Sequence, residues 1–149
     1  MEKPTRNLER EAMVMAALND SPFYRHVGMR IREFTDCGSI MEMAIIPQHM
    51  NIWAIAHGGV VSSLVDSSCG TAMVPILSEG QGAVTLDLRV QFLRPVREGT
   101  LTSLSRVVHQ SRRFIISETE VFDKDNNLVA RGNTIHALVP RAETSPGSL

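Results

Sequence analysis

Hydrophobic and polar positions recur along this chain with two different periods, and the switch between them divides it. Residues 8–19 (LEREAMVMAALN) are good helix formers, and Leu8, Ala12, Met15 and Leu18 recur near helical spacing, which predicts a short N-terminal helix or arm. Ser21-Pro22 punctuates the chain. Residues 27–34 then alternate, with Val27, Met29 and Ile31 on one face and Arg30 and Arg32 on the other, as in a strand. Asp36-Cys37-Gly38 reads as a turn, and Ser39–Ile46 as a returning strand that Pro47 ends, so an antiparallel hairpin is expected.

Residues 48–57 show no period. After Gly58-Gly59, the run VVSSLVDSSCGTAMVPIL is too long for an ordinary strand and predicts a helix, with Val60, Val61, Leu64, Val65, Ser68 and Ala72 on one face. Asp66 falls elsewhere, over the turn that carries Ser62, Ser63, Cys69 and Gly70. Long polar side chains are scarce all round, so this helix is expected to be covered on most sides. From Ala83 the period becomes two. Val84, Leu86, Leu88, Val90 and Phe92 fall on one face, and Thr85, Asp87, Arg89 and Gln91 on the other.

Three more strands follow, over 100–110, 113–123 and 127–139; the last two are joined by a polar turn, Asp123–Asn127, whose Asn residues tolerate left-handed geometry. This order predicts an α+β fold, one antiparallel sheet wrapped around one central helix. At 149 residues it is a single domain, over 23–140, after an N-terminal helix or arm at 1–22 and before a polar tail at 141–149 without predicted order.

Composition narrows the function. A formal net charge of −1 gives no broad basic field for nucleic acid or an anionic membrane. Aromatic content of 5% makes the core aliphatic, with eight Met as adaptable filler. Cys37 and Cys69 form neither a disulfide framework nor a zinc motif, and the charge-rich opening is unlike an export signal; both lead us to expect a reducing, cytoplasmic setting. From Met43 to Ser78 the only formal charge is Asp66, yet Gln48, His49, Asn51, His57 and several Ser exclude a membrane span. A lone carboxylate in a helix expected to be buried needs a reason.

Each candidate group has a chemical and a structural reading. Gly58-Gly59 opens the helix, where unpaired N–H groups and the positive dipole end could stabilise an oxyanion; equally, the glycines could simply permit tight packing. Asp66 could be a general base or nucleophile, or a structural carboxylate satisfied by a neighbouring Ser or by another chain. His57 could be an acid, a ligand or a structural hydrogen-bonder. Asn51 could orient water or a carbonyl, or cap a turn. Arg112-Arg113 and Arg94 with Arg97, near strand ends, could bind phosphates or stand as solvated charges. His26, His49, His109 and His136 lack metal-ligand spacing, and there is no nucleophile elbow, phosphate loop or dinucleotide fingerprint.

The succession Asn51-Ile52-Trp53-Ala54-Ile55-Ala56-His57-Gly58-Gly59-Val60, Leu64-Val65-Asp66, Ala83–Leu88 and Phe92-Leu93-Arg94-Pro95 resembles the hotdog-fold acyl-CoA thioesterases, most closely the phenylacetate-degradation type. The resemblance runs from about Phe23 to Val139. It implies a long central helix in a curved antiparallel sheet, edge-to-edge homodimers commonly paired into tetramers, and active sites between subunits. It implies that Asp66 is the catalytic carboxylate, Gly58 the backbone donor to the thioester oxygen, Asn51 an orienting residue, His57 a support for the thioester and Thr85 a holder of the attacking water. Arg112 falls where the family often handles the nucleotide end of coenzyme A; Gly59, Arg113 and Arg94 are candidate partners in substrate binding. Ala54 stands where Gly is frequent, Ser111-Arg112 where Gly-Arg is, and Asn126-Asn127 where Asp-Gly is.

The activity implied is hydrolysis of an acyl-CoA to acid and coenzyme A, with no metal or redox cofactor. A non-catalytic acyl-CoA sensor on the same fold is the alternative. A hydratase-like hotdog enzyme is a further one, weakened because no hydratase Asp/His motif is present.

Overall fold

The computed structural model describes residues 6–141. Helix α1 (Leu8–Asn19) is capped by the Asn7 side chain, which accepts from the Arg10 N–H. The proposed tail lies, apart from Arg141, outside the described residues, as do residues 1–5 of the arm.

A second short helix, α2 (Pro22–Val27), occupies the start of the expected first strand. Pro22 suits the first turn, where its missing N–H costs nothing, and Gly28 closes the helix at φ 78°. The strand therefore begins later, as β1 (Met29–Thr35), and pairs with β2 (Gly38–Ala44) in the expected hairpin. A register shift between Ile31 and Glu33 lets Met29, Ile31 and Phe34 all be buried.

Helix α3 (Gly58–Ala72) is shorter than the run predicts, because Pro75 cannot continue the hydrogen-bond ladder and the chain tightens into a 3₁₀ turn at Val74–Ile76. The remaining strands are β3 (Gln81–Phe92), β4 (Thr100–Gln110), β5 (Phe114–Phe122) and β6 (Leu128–Pro140). All pairings are antiparallel, in the order β1-β2-β4-β5-β6-β3. This is the predicted α+β architecture, one six-stranded sheet around a central helix.

The core lies between α3 and the sheet, where Leu64 and Val65 meet Met41, Met43, Leu101 and Val121. Gly132 on β6 is required there, since a Cβ would stand 2.6 Å from Val65 Cγ1 and against the Arg89 carbonyl oxygen. The buried face of α3 includes Cys69 and Thr71, while Val60 is half-buried.

As expected of a helix covered on most sides, α3 has only Gly59 exposed, while Ser62, Ser63, Asp66, Ser67 and Gly70 stay partly exposed. One expectation is corrected. In β3 the two faces exchange partway, because the register shifts between Thr85 and Asp87. Residues opposite one another share a face. Thr85 pairs with buried His136 and Leu88 with buried Thr134, so Thr85 joins Leu88 on the helix side; Val84, opposite Ala137, joins Asp87 and Arg89 on the outer side.

Candidate active site

The single chain carries two separate clusters of candidate groups, one at the N-terminus of α3 and one at its middle. The first is built by the loop before the helix. Asn51 Oδ1 accepts from the Trp53 N–H at 2.9 Å and the Ile55 N–H at 3.4 Å. These bonds identify that atom as the amide oxygen and leave the Nδ2 donors unpartnered among the described residues. They close a tight loop in which Ala54 takes φ 53°, and Arg97 Nη1 donates to the Trp53 and Ala54 carbonyls. Asn51 does cap a turn, and it also presents a donor.

His57 is the N-cap of α3. Its Nδ1 accepts from the Gly59 N–H at 2.9 Å, and its carbonyl accepts from Val60. The Gly59 amide is thereby occupied, whereas the Gly58 N–H has no acceptor among the described residues. Gly58 and Asn51 border one cavity of about 300 Å³, whose walls include Ile55, Val61, Phe92 and Arg94. The Phe92 ring would lie 3.4 Å from a Cβ on Gly58. Gly58 and Asn51, whose N–H donors have no acceptor among the described residues, thus border one largely apolar space, a setting in which such donors can hold a polarised carbonyl oxygen.

The second half-site is centred on Asp66. Thr85 Oγ1 donates to Asp66 Oδ1 at 3.0 Å and lies 3.2 Å from His136 Nε2; His136 Nδ1 lies 3.0 Å from Thr134 Oγ1. The register shift that follows Thr85 turns its hydroxyl toward the helix. Burial lowers the pKa of His136, against an opposing pull from Asp66, and so favours the neutral ring. Burial also pushes the Cys69 thiol and the Tyr24 phenol up to about 12 each, and the charge of Asp66 adds to both shifts.

Gly58 and Asp66 are eight residues apart, so they stand about 12 Å apart along the axis at the usual helical rise. Arg112 and Arg113 sit in the exposed turn between β4 and β5, and Phe114 and Ile115 next to it pair with Ala137 and His136, at the Asp66 end of the sheet. Arg94 stands at the opposite end, beside Gly58. The structure therefore groups Asn51, His57, Gly58 and Arg94, and separately Asp66 and Thr85, with Arg112 and Arg113 toward the latter end. Sequence reasoning missed His136; its only signal is that it alternates with Thr134 on a strand face that proves to be buried. No group of three or more His, Cys, Asp or Glu among the described residues could hold a metal ion, and no described helix is long and apolar enough to cross a membrane.

This fold and this pair of half-sites define a hotdog-type protein. The thioesterase superfamily model matches residues 54–130, and the chain belongs to that family, whose reaction class is thioester hydrolysis. Thioesterase HI1161 of Haemophilus influenzae has the same fold, with a TM-score of 0.81 at 24% identity over 95% of this chain and 96% of that one. A mutant of thioesterase PA1618 from Pseudomonas aeruginosa gives a TM-score of 0.80 at 21% identity, covering 93% and 98%. In sequence, the chain is 26% identical over 132 residues to the medium/long-chain acyl-CoA thioesterase YigI of Salmonella typhimurium, covering 78% of this chain and 85% of that one.

Proposed function

We propose that the protein hydrolyses acyl-CoA thioesters in a homodimer, each site combining the Gly58 half-site of one protomer with the Asp66 half-site of its partner. The carrying observation is that the free Gly58 N–H and the Asp66–Thr85 pair lie about 12 Å apart along one helix, too far to meet on one substrate carbonyl within a chain. The edge position of β3 supports this reading. Its exposed side chains include Val84, Leu86, Leu88 and Phe92. Antiparallel pairing of two β3 edges centred between Leu88 and Arg89 would set Thr85 of one opposite Phe92 of the other. That brings Asp66 of one protomer toward Gly58 of its partner.

In this reading the Gly58 N–H and Asn51 Nδ2 bind the thioester oxygen, and the helix dipole favours the charge that develops there. Asp66 acts on the carbonyl carbon as base toward water or as nucleophile, and Thr85 holds the water or the carboxylate. His57 shapes the helix start. Arg112 and Arg113 suit the phosphates of coenzyme A by charge, and Arg94 stands at the cavity mouth. The chemistry assigned to these groups requires no metal or redox cofactor.

Thiol release from a panel of acyl-CoAs is expected to be lost in Asp66→Ala and in Gly58→Val. Mixing and refolding the two variants should restore about a quarter of wild-type activity, since half the dimers are mixed and each mixed dimer has one intact site. Full activity in Asp66→Ala, or no recovery on mixing, refutes the shared site. Binding of acyl-CoA without turnover by the wild type would favour a sensor.

A further inference from the structure

We propose that His136 is a positioning residue: by donating from Nε2 to the Thr85 hydroxyl oxygen, it commits the single proton of that hydroxyl to Asp66. The inference rests on the reading of Asp66 as the catalytic carboxylate. His136 is 3% exposed, stands directly opposite Thr85 in the β3–β6 ladder, and lies within hydrogen-bond distance of two hydroxyls, those of exposed Thr85 and buried Thr134.

The direction of each bond follows from proton counting. A threonine hydroxyl has one hydrogen. An ionised carboxylate can only accept, so the hydrogen of Thr85 belongs on the 3.0 Å bond to Asp66 Oδ1. The oxygen of Thr85 must then accept from His136, which places the ring hydrogen on Nε2. In the neutral ring Nδ1 becomes the acceptor, and fully buried Thr134 donates to it at 3.0 Å. The donors therefore all point one way, from Thr134 through His136 and Thr85 to Asp66. The opposite tautomer would draw the Thr85 hydrogen onto Nε2 and leave this oxygen of Asp66 without its donor.

Among the described residues, the titratable groups near this chain include Asp66 and Cys69 on α3 and Tyr24 on α2, whose phenol stays protonated because burial pushes it up to about 12. The Cys69 thiol remains protonated, because burial pushes it up to about 12. Burial likewise keeps the His136 ring neutral. Neither group competes with Asp66 for the donor.

The test compares wild type, Asp66→Ala, His136→Leu and His136→Gln in acyl-CoA hydrolysis across pH, with the ring nitrogens of His136 followed by NMR in the ¹⁵N-labelled wild type. His136→Leu is expected to lower kcat about tenfold, the usual scale for losing a hydrogen bond to a charged group, with KM little changed. The acid limb of its pH–rate profile should move to higher pH, because a carboxylate that loses a donor takes up a proton more readily. His136→Gln carries an amide N–H near the Nε2 position and should recover most of both effects. The NMR spectrum should show the Nε2–H tautomer at neutral pH, a readout that stands even where His136→Leu fails to fold. An Nδ1–H tautomer overturns the proposal. So does a wild-type profile in His136→Leu while Asp66→Ala is inactive, and so does a slow His136→Leu whose acid limb is unmoved and which Gln does not rescue. Activity in Asp66→Ala instead overturns the assignment of Asp66.

Discussion

Ala54 pays a local cost for the loop that presents Asn51. A non-glycine residue at φ 53° carries about 1–2 kcal/mol of strain, held here by the Asn51 and Arg97 bonds. Glycine removes the strain but adds about 0.4–1 kcal/mol of chain entropy to the unfolded state. Ala54→Gly is therefore expected to stabilise the fold by about 0.5–1 kcal/mol, read by urea denaturation. A second residue-scale effect concerns pH. Because burial lowers the His136 pKa in the folded state, the unfolded chain binds that proton more readily. The stability is fully present above the ordinary histidine value near 6.5 and is lost as pH falls below it. Thermal unfolding between pH 7.5 and 5.5 should show a larger loss of Tm in wild type than in His136→Gln.

Element by element, the site depends on two close fits. One is the register shift in β3, without which Thr85 would point away from α3 with Asp87 and Arg89. The other is the approach of α3 to β6 over Gly132, where the space for a Cβ is already filled by Val65 and the Arg89 backbone. Gly132→Ala overfills that contact and is expected to cost about 1–3 kcal/mol. Chemical denaturation measures the loss, and the same variant should show a lower Tm with KM for acyl-CoA nearly unchanged.

For the whole molecule, the β3 edge is the feature that one chain leaves unfinished. A strand edge twelve residues long, carrying exposed Val84, Leu86, Leu88 and Phe92, is a ready template for another strand. A charge placed there opposes pairing without entering the core, since Leu86 is 59% exposed. Leu86→Lys is expected to shift the protein toward monomer in analytical ultracentrifugation, keep its circular dichroism spectrum, and lose at least about tenfold in activity. A monomer with full activity would contradict the shared site.

Much of this protein was legible along the chain. The period of 3.6 over residues 60–72 and the period of two from Ala83 onward determined the central helix and the strands, because apolar spacing follows directly from which face each element buries. The free amide at Gly58 was also accessible, since a helix start leaves its first N–H groups unpaired in any context. Other features depend on contacts between distant residues and have no local trace. The register shift after Thr85 belongs to the pairing of β3 with β6, so period alone assigned Thr85 to the wrong face. His136 lies fifty-one residues from Thr85, and nothing nearby marks it as the partner of that hydroxyl. The sequence determined which residues could carry chemistry. Only the tertiary structure decided that Asp66 is partly exposed and oriented by a strand's hydroxyl, because the direction of that hydroxyl depends on how β3 pairs with β6.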